Sequence, residues 1–225
     1  MSSHPYGILA RFLKEPFNSL SHFAGILLSI VGLVLLVVFS YGEPWRTTSF
    51  SIYGASLILL YTASTLLHSL KVGRIAERGL RLFDHAAIYV LIAGTYTPIT
   101  LVTLQVDSSA WGWTVFGVIW GFALLGVIFK AFWLGAPRWL STLLYVLMGW
   151  LAIIAIVPIA KVMPFGGMFW MVLGGLFYSV GAVIYAIKKP DWFPQHFGYH
   201  GLWHLFVLAG SICHFLMMLL YVRPL

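Results

Sequence analysis

Charge is what this sequence has least of. Asp, Glu, Lys and Arg make up 8% of its 225 residues, against about 25% in soluble domains. So few charges cannot keep a globular surface wet, which excludes a soluble protein. Disorder is excluded as well, because 61% of the residues are hydrophobic. There is one cysteine, Cys213, so no internal disulfide can form. It lies in an apolar run beside His214 and reads as a buried, inert thiol. The opening residues lack the basic region, short apolar core and small-residue cleavage site of a secretory signal, so the first apolar run is expected to be a retained helix. There is also no room for a soluble catalytic domain, since seven membrane helices of about 20 residues use nearly the whole chain.

What is present is a series of seven apolar runs, at 18–40, 49–70, 83–104, 111–130, 139–160, 166–187 and 196–221. The fold class is therefore an all-α bundle of seven transmembrane helices. Residues 1–17 form a lead-in, with Phe12, Leu13 and Phe17 interspersed with Arg11 and Lys14; it is either a surface-lying amphipathic segment or a polar tail. Residues 18–225 form one domain. The net charge is +7. In a soluble protein that would suggest nucleic acid; here it reads as topology signals and lipid-headgroup contacts. With the N-terminus inside, ten of the thirteen basic residues fall on the cytoplasmic side, leaving only Arg46, Lys161 and Arg223 outside. The expectation is a cytoplasmic N-terminus and an external C-terminus. Trp45, Trp111, Trp113, Trp139, Trp170 and Trp192 fall near span ends, as interfacial anchors do. Pro98 and Pro158 should kink their spans. The Gly117/Gly121 pair and Gly174, Gly175 and Gly181 read as helix-packing signals.

Ionisable groups inside spans are costly and need a reason. Ser64 and His68 share a face of the second span. Asp84 and His85 open the third. His200 and His204 share a face of the seventh, and two histidines at that spacing can converge on one metal ion. The alternating topology puts these three stretches at one depth, in the inner leaflet. Three imidazoles with an open position make a typical catalytic zinc site, in which bound water becomes available as hydroxide near neutral pH. Asp84 would then hold that water or act as general base, and Ser64 would orient the ligand or the water. The competing reading is a buried polar network joining these spans. Cys213, nine residues beyond His204, lies on the opposite helix face. His214 is too far along the axis, His4 is in the lead-in, His85 points away from Asp84, and His22 could line the same cavity but has no evident pair. His196 lies one turn before His200, so spacing leaves His196/His200 and His200/His204 both open.

Several stretches together resemble the hemolysin III family, the bacterial branch of the progestin and adipoQ receptor group. They are Glu15-Pro-Phe-Asn18-Ser-Leu-Ser-His22, Ser64-x-x-x-His68, Asp84-His-Ala-Ala-Ile-Tyr89, Ala93-Gly-Thr-Tyr-Thr-Pro98, His200-x-x-x-His204 and His214-Phe215. The resemblance implies seven helices with a cytoplasmic N-terminus. It implies zinc on His68, His200 and His204, with Asp84 reaching the ion through water and Ser64 nearby. It also implies kinship with proposed membrane hydrolases, including alkaline ceramidases, which act on lipid amides. The expected function is a zinc-dependent hydrolase in the bacterial inner membrane, acting on a long-chain acyl lipid. The alternatives are a sensor with structural zinc and a pore-forming cytolysin. The long N-terminal domain of the receptor branch is not in this chain, which argues against hormone reception.

Overall fold

The structure is a computed structural model and describes residues 6–225. Among them it is all-helical, with seven helices long and apolar enough to cross a membrane. They are Pro16–Val38, Pro44–Ser69, Arg74–Asp107, Ser109–Phe132, Arg138–Val162, Phe165–Ile187 and Gly198–Val222. Prolines mark four of the starts. Pro16 and Pro44 stand at the first helical position, where a missing N–H costs nothing; Pro137 and Pro164 immediately precede the fifth and sixth spans. The sixth span stops at Lys188, which adopts a left-handed conformation (φ 59°).

Consecutive spans pack side by side, and the seventh returns to the first, closing the bundle. The third span is the central post. Its most apolar window is 83% buried, against 22% for the fourth and fifth spans. It begins at Arg74, well before the expected residue 83. The first turns are too polar to look membrane-spanning, but Glu77 holds them by pairing with Arg81 one turn on and with Lys14 across the chain. Hydropathy marks where lipid ends, not where a helix ends.

Both prolines act as expected. Pro98 is followed by a π-helical stretch at Ile99–Thr103, and a tight 3₁₀ stretch at Trp150–Ala155 precedes Pro158. The Tyr96 hydroxyl bridges this second irregularity, donating to the Gly149 carbonyl and accepting from the Ala152 N–H. The glycines divide. A methyl group on Gly174 would run into the His214 ring, and one on Gly181 into Phe206 and Trp203. Gly117 and Gly121, by contrast, face open space. The packing role read from their spacing is therefore wrong within one chain, because no neighbouring helix lies on that face.

Part of the lead-in is tied to the bundle. The N–H groups of Lys14 and Glu15 donate to the carbonyls of Ser69 and His68, and Lys71 donates to those of Ala10 and Arg11. Phe12 is exposed, while Phe17 stacks on Phe197 with ring centroids 4.8 Å apart. His4 lies outside the described residues.

Candidate metal centre

His68 is in the last turn of the second span, and His200 and His204 are in the first turns of the seventh. One ring nitrogen from each lies within 4.8 Å of the other two. The three residues thus meet, although 132 residues separate His68 from His200.

The far side of two of these rings decides which nitrogen faces the centre. His68 Nδ1 lies 2.8 Å from Glu15 Oε2. A carboxylate can only accept, so Nδ1 carries the proton and Nε2 is left as a bare lone pair. Burial pushes the Glu15 carboxyl up, but the hydrogen bond and charge of His68, with a hydrogen bond from Asn18, outweigh it and hold it at about 2. His204 Nδ1 lies 3.3 Å from Ser21 Oγ, and that hydroxyl spends its proton on the Asn18 carbonyl at 3.0 Å. Ser21 must therefore accept from His204 Nδ1–H, which again leaves Nε2 bare. His200 Nε2 is 3.4 Å from His68 Nε2. That is long for a hydrogen bond, and it matches the edge of roughly 3.3 Å expected between nitrogens bound at about 2.05 Å in a tetrahedron. Converging lone pairs repel unless a cation lies between them. The donor set fits a metal ion, and neutral imidazole suits zinc.

Asp84 does not belong to this group of three. It stands ten residues into the third span and faces Ser64, which is buried. Both line a cavity of about 720 Å³ together with the three histidines. His196 is excluded, which resolves the ambiguity left by spacing. It is exposed in the turn before the seventh span, and Gly198, with φ +62°, separates it from the helix. Four-residue spacing places two side chains on one face only if the helix is continuous between them. Cys213 is buried and free, away from the cluster. His214 has Nε2 engaged elsewhere, donating to the Met171 carbonyl at 3.2 Å, while its buried Nδ1 has no partner among the described residues.

Three contributions surround the cluster, of which only the place of His22 beside the cavity was legible beforehand. The first span contributes directly: Ser21 supports His204, and the buried His22 stacks on the His204 ring at 3.6 Å. Glu15 was visible only as part of a family motif, with nothing in its spacing pointing to His68. His85, expected to point away from Asp84, also lines the cavity, and its buried Nδ1 has no partner among the described residues.

The chain matches the family described as Haemolysin-III related over residues 10–215. It belongs to that family. It is 43% identical over 210 residues to the Hemolysin-3 homolog of Bacillus subtilis (strain 168), covering 92% of this chain and 94% of that protein. It is 41% identical over 219 residues to Hemolysin-3 of Bacillus cereus, covering 96% and 95%. A shorter stretch of 51 residues is 37% identical to the Adiponectin receptor protein of Drosophila melanogaster, covering 20% of this chain and 12% of that one. This haemolysin-III relative is a multi-pass membrane protein with three histidines placed to hold a metal ion.

Proposed function

We propose that this haemolysin-III protein is a zinc-dependent membrane hydrolase that cleaves a long-chain lipid amide or ester. The observation that carries the reading is the convergence of three imidazole nitrogens beside Ser64 and Asp84 at one end of a large cavity. Zinc, when bound, supplies a Lewis acid that makes water nucleophilic near neutral pH. His68, His200 and His204 would hold it, and a set of three protein ligands would leave room for water. Asp84 takes the proton from the attacking water, and Ser64 fixes the carboxylate's orientation. Water oxygen bonds to the acyl carbon, the carbon–nitrogen or carbon–oxygen bond breaks, and Asp84 returns the proton to the departing amine or alcohol.

The cavity supports a lipid substrate. On the third span its wall runs from Glu77 to Ile99, roughly 33 Å at the rise of an α-helix. Ile153 and Val172 line it and are exposed, which supports a sideways entry for an acyl chain between the fifth and sixth spans. The basic-residue asymmetry supports a cytoplasmic N-terminus, which puts the site in the inner leaflet of the cytoplasmic membrane. A reporter active only in the cytoplasm should stay silent when fused after Leu225; a strong signal there reverses this orientation.

The deciding assay is acyl release by reconstituted protein across a broad lipid panel, comparing wild type, His204→Ala and Asp84→Asn. Asp84→Asn should keep its fold and most of its zinc but lose turnover by about 10²-fold or more, the scale for a general base. If wild type releases nothing in a zinc-dependent way, the reading of a sensor with structural zinc replaces this one. If Asp84→Asn matches wild type, the role given to the aspartate is wrong.

A further inference from the structure

Four Lys or Arg side chains line the cavity at its histidine end. Lys14 and Arg81 are both engaged by Glu77, at 3.0 and 3.2 Å. Lys130 and Arg138 have no carboxylate within 4.0 Å among the described residues. Lys130 is the more telling. It sits in the last turn of the fourth span, where a lysine ordinarily snorkels its ammonium out to water. Here the residue is 1% exposed. Its ammonium turns inward to the cavity and donates to Ser141 Oγ at 2.5 Å. An ammonium has three donors; among the described residues Ser141 is its one hydrogen-bond partner, with the Phe129 ring centroid 5.6 Å away. A buried, unpaired charge is expensive unless something of opposite sign meets it.

Arg138 lies nearby in the chain, at the start of the fifth span. Its guanidinium lies over the Tyr185 ring at 4.8 Å and near Tyr199 at 5.6 Å, and it bonds the Tyr199 hydroxyl at 3.3 Å. The aromatic rings fix the guanidinium without neutralising it. The other end of the cavity is different: Ile99, Ile156 and Met171 are among its lining there, with no Lys, Arg, Asp or Glu.

We infer that Lys130 and Arg138 form a subsite for the anionic headgroup of the lipid, a phosphate or carboxylate, at the histidine end of the cavity. The acyl chain then runs past the histidines into the apolar half. The inference rests on the lipid reading of the cavity and narrows it from any acyl lipid to an anionic one. It assigns a role to a buried cation that the hydrolytic step does not use.

Binding of hexadecyl phosphate and hexadecanol to the full chain in nanodiscs tests this, read by intrinsic tryptophan fluorescence. Neither probe has an acyl bond, so hydrolysis does not enter the measurement. Wild type should prefer the phosphate by about tenfold or more, the scale of one charge-assisted hydrogen bond. Lys130→Gln, which keeps a donor for Ser141, should cut that preference to within about threefold, while Lys130→Arg should retain it. Arg138→Gln should reduce it partly. Equal binding of both probes by wild type overturns the proposal, even if no variant folds. An undiminished preference in Lys130→Gln overturns the assignment to Lys130. Inorganic phosphate at millimolar concentration should not displace hexadecyl phosphate; if it does, the site takes free phosphate and not a lipid headgroup. Absence of acyl release with the preference intact removes the hydrolase and leaves the headgroup site.

Discussion

The seventh span carries two buried histidine regions that look alike in sequence and differ in chemistry. At its start, His204 is held at Nδ1 by Ser21, so Nε2 faces His68 and His200 across a shared space. Ten residues on, His214 spends Nε2 on the Met171 carbonyl. Its polar neighbours satisfy one another, with the Tyr61 and Tyr178 hydroxyls meeting on Ser211 Oγ at 2.7 and 2.8 Å. The residue type is the same in both places, although His204 is buried and His214 only half-buried. The difference is which ring nitrogen is already occupied. A histidine becomes a candidate ligand when a partner takes the proton side and leaves the lone pair pointing at other lone pairs.

The largest effect should come from breaking the cluster itself. Purified protein should carry about one zinc per chain. His68→Ala or His200→Ala should lose most of it and all zinc-dependent activity, whereas His214→Ala should keep both. Elemental analysis of the three variants reads this directly, and equal zinc in wild type and His200→Ala refutes the site.

A smaller effect separates ligands from the groups that aim them. Glu15→Gln removes the carboxylate but leaves an amide oxygen able to accept from His68 Nδ1–H. Zinc affinity should fall by about 10–100-fold, the usual cost of losing such support, without abolition of binding. Competition with a chelator of known affinity measures it. Unchanged affinity would mean that the second span alone positions His68.

The smallest effect belongs to the other region. Ser211→Ala strips two buried tyrosine hydroxyls of their common partner, which should cost about 1–2 kcal/mol of stability. A thermal melt of the solubilised protein should fall by a few degrees while zinc content stays the same. Loss of zinc in this variant would show that the two regions are coupled.

The comparison also marks what could be read in advance. The His200/His204 spacing was visible, and so was the opposing face of Cys213, because both are local properties of a continuous helix. The exclusion of His196 was implied by the family resemblance but not visible from spacing, because it depends on where that helix begins, and Gly198 sets the boundary. The support from Glu15 and Ser21 was not visible either. Those contacts join residues 53 and 183 positions apart, and no periodicity extends so far. Lys130 read as a topology signal, since its charge is evident in the sequence but the direction of its side chain is not.

Sequence by itself determined the class of environment, the number of spans and the residue types available for chemistry. These follow from transfer of each segment between water and lipid, a sum over local composition that needs no knowledge of neighbours. Tertiary structure alone decided which histidines meet, which nitrogen each one presents, where the third helix begins and that Gly117 and Gly121 face no helix of this chain. Those outcomes depend on side chains brought together from distant positions, where hydrogen-bond direction and steric contact, not hydropathy, set the free energy.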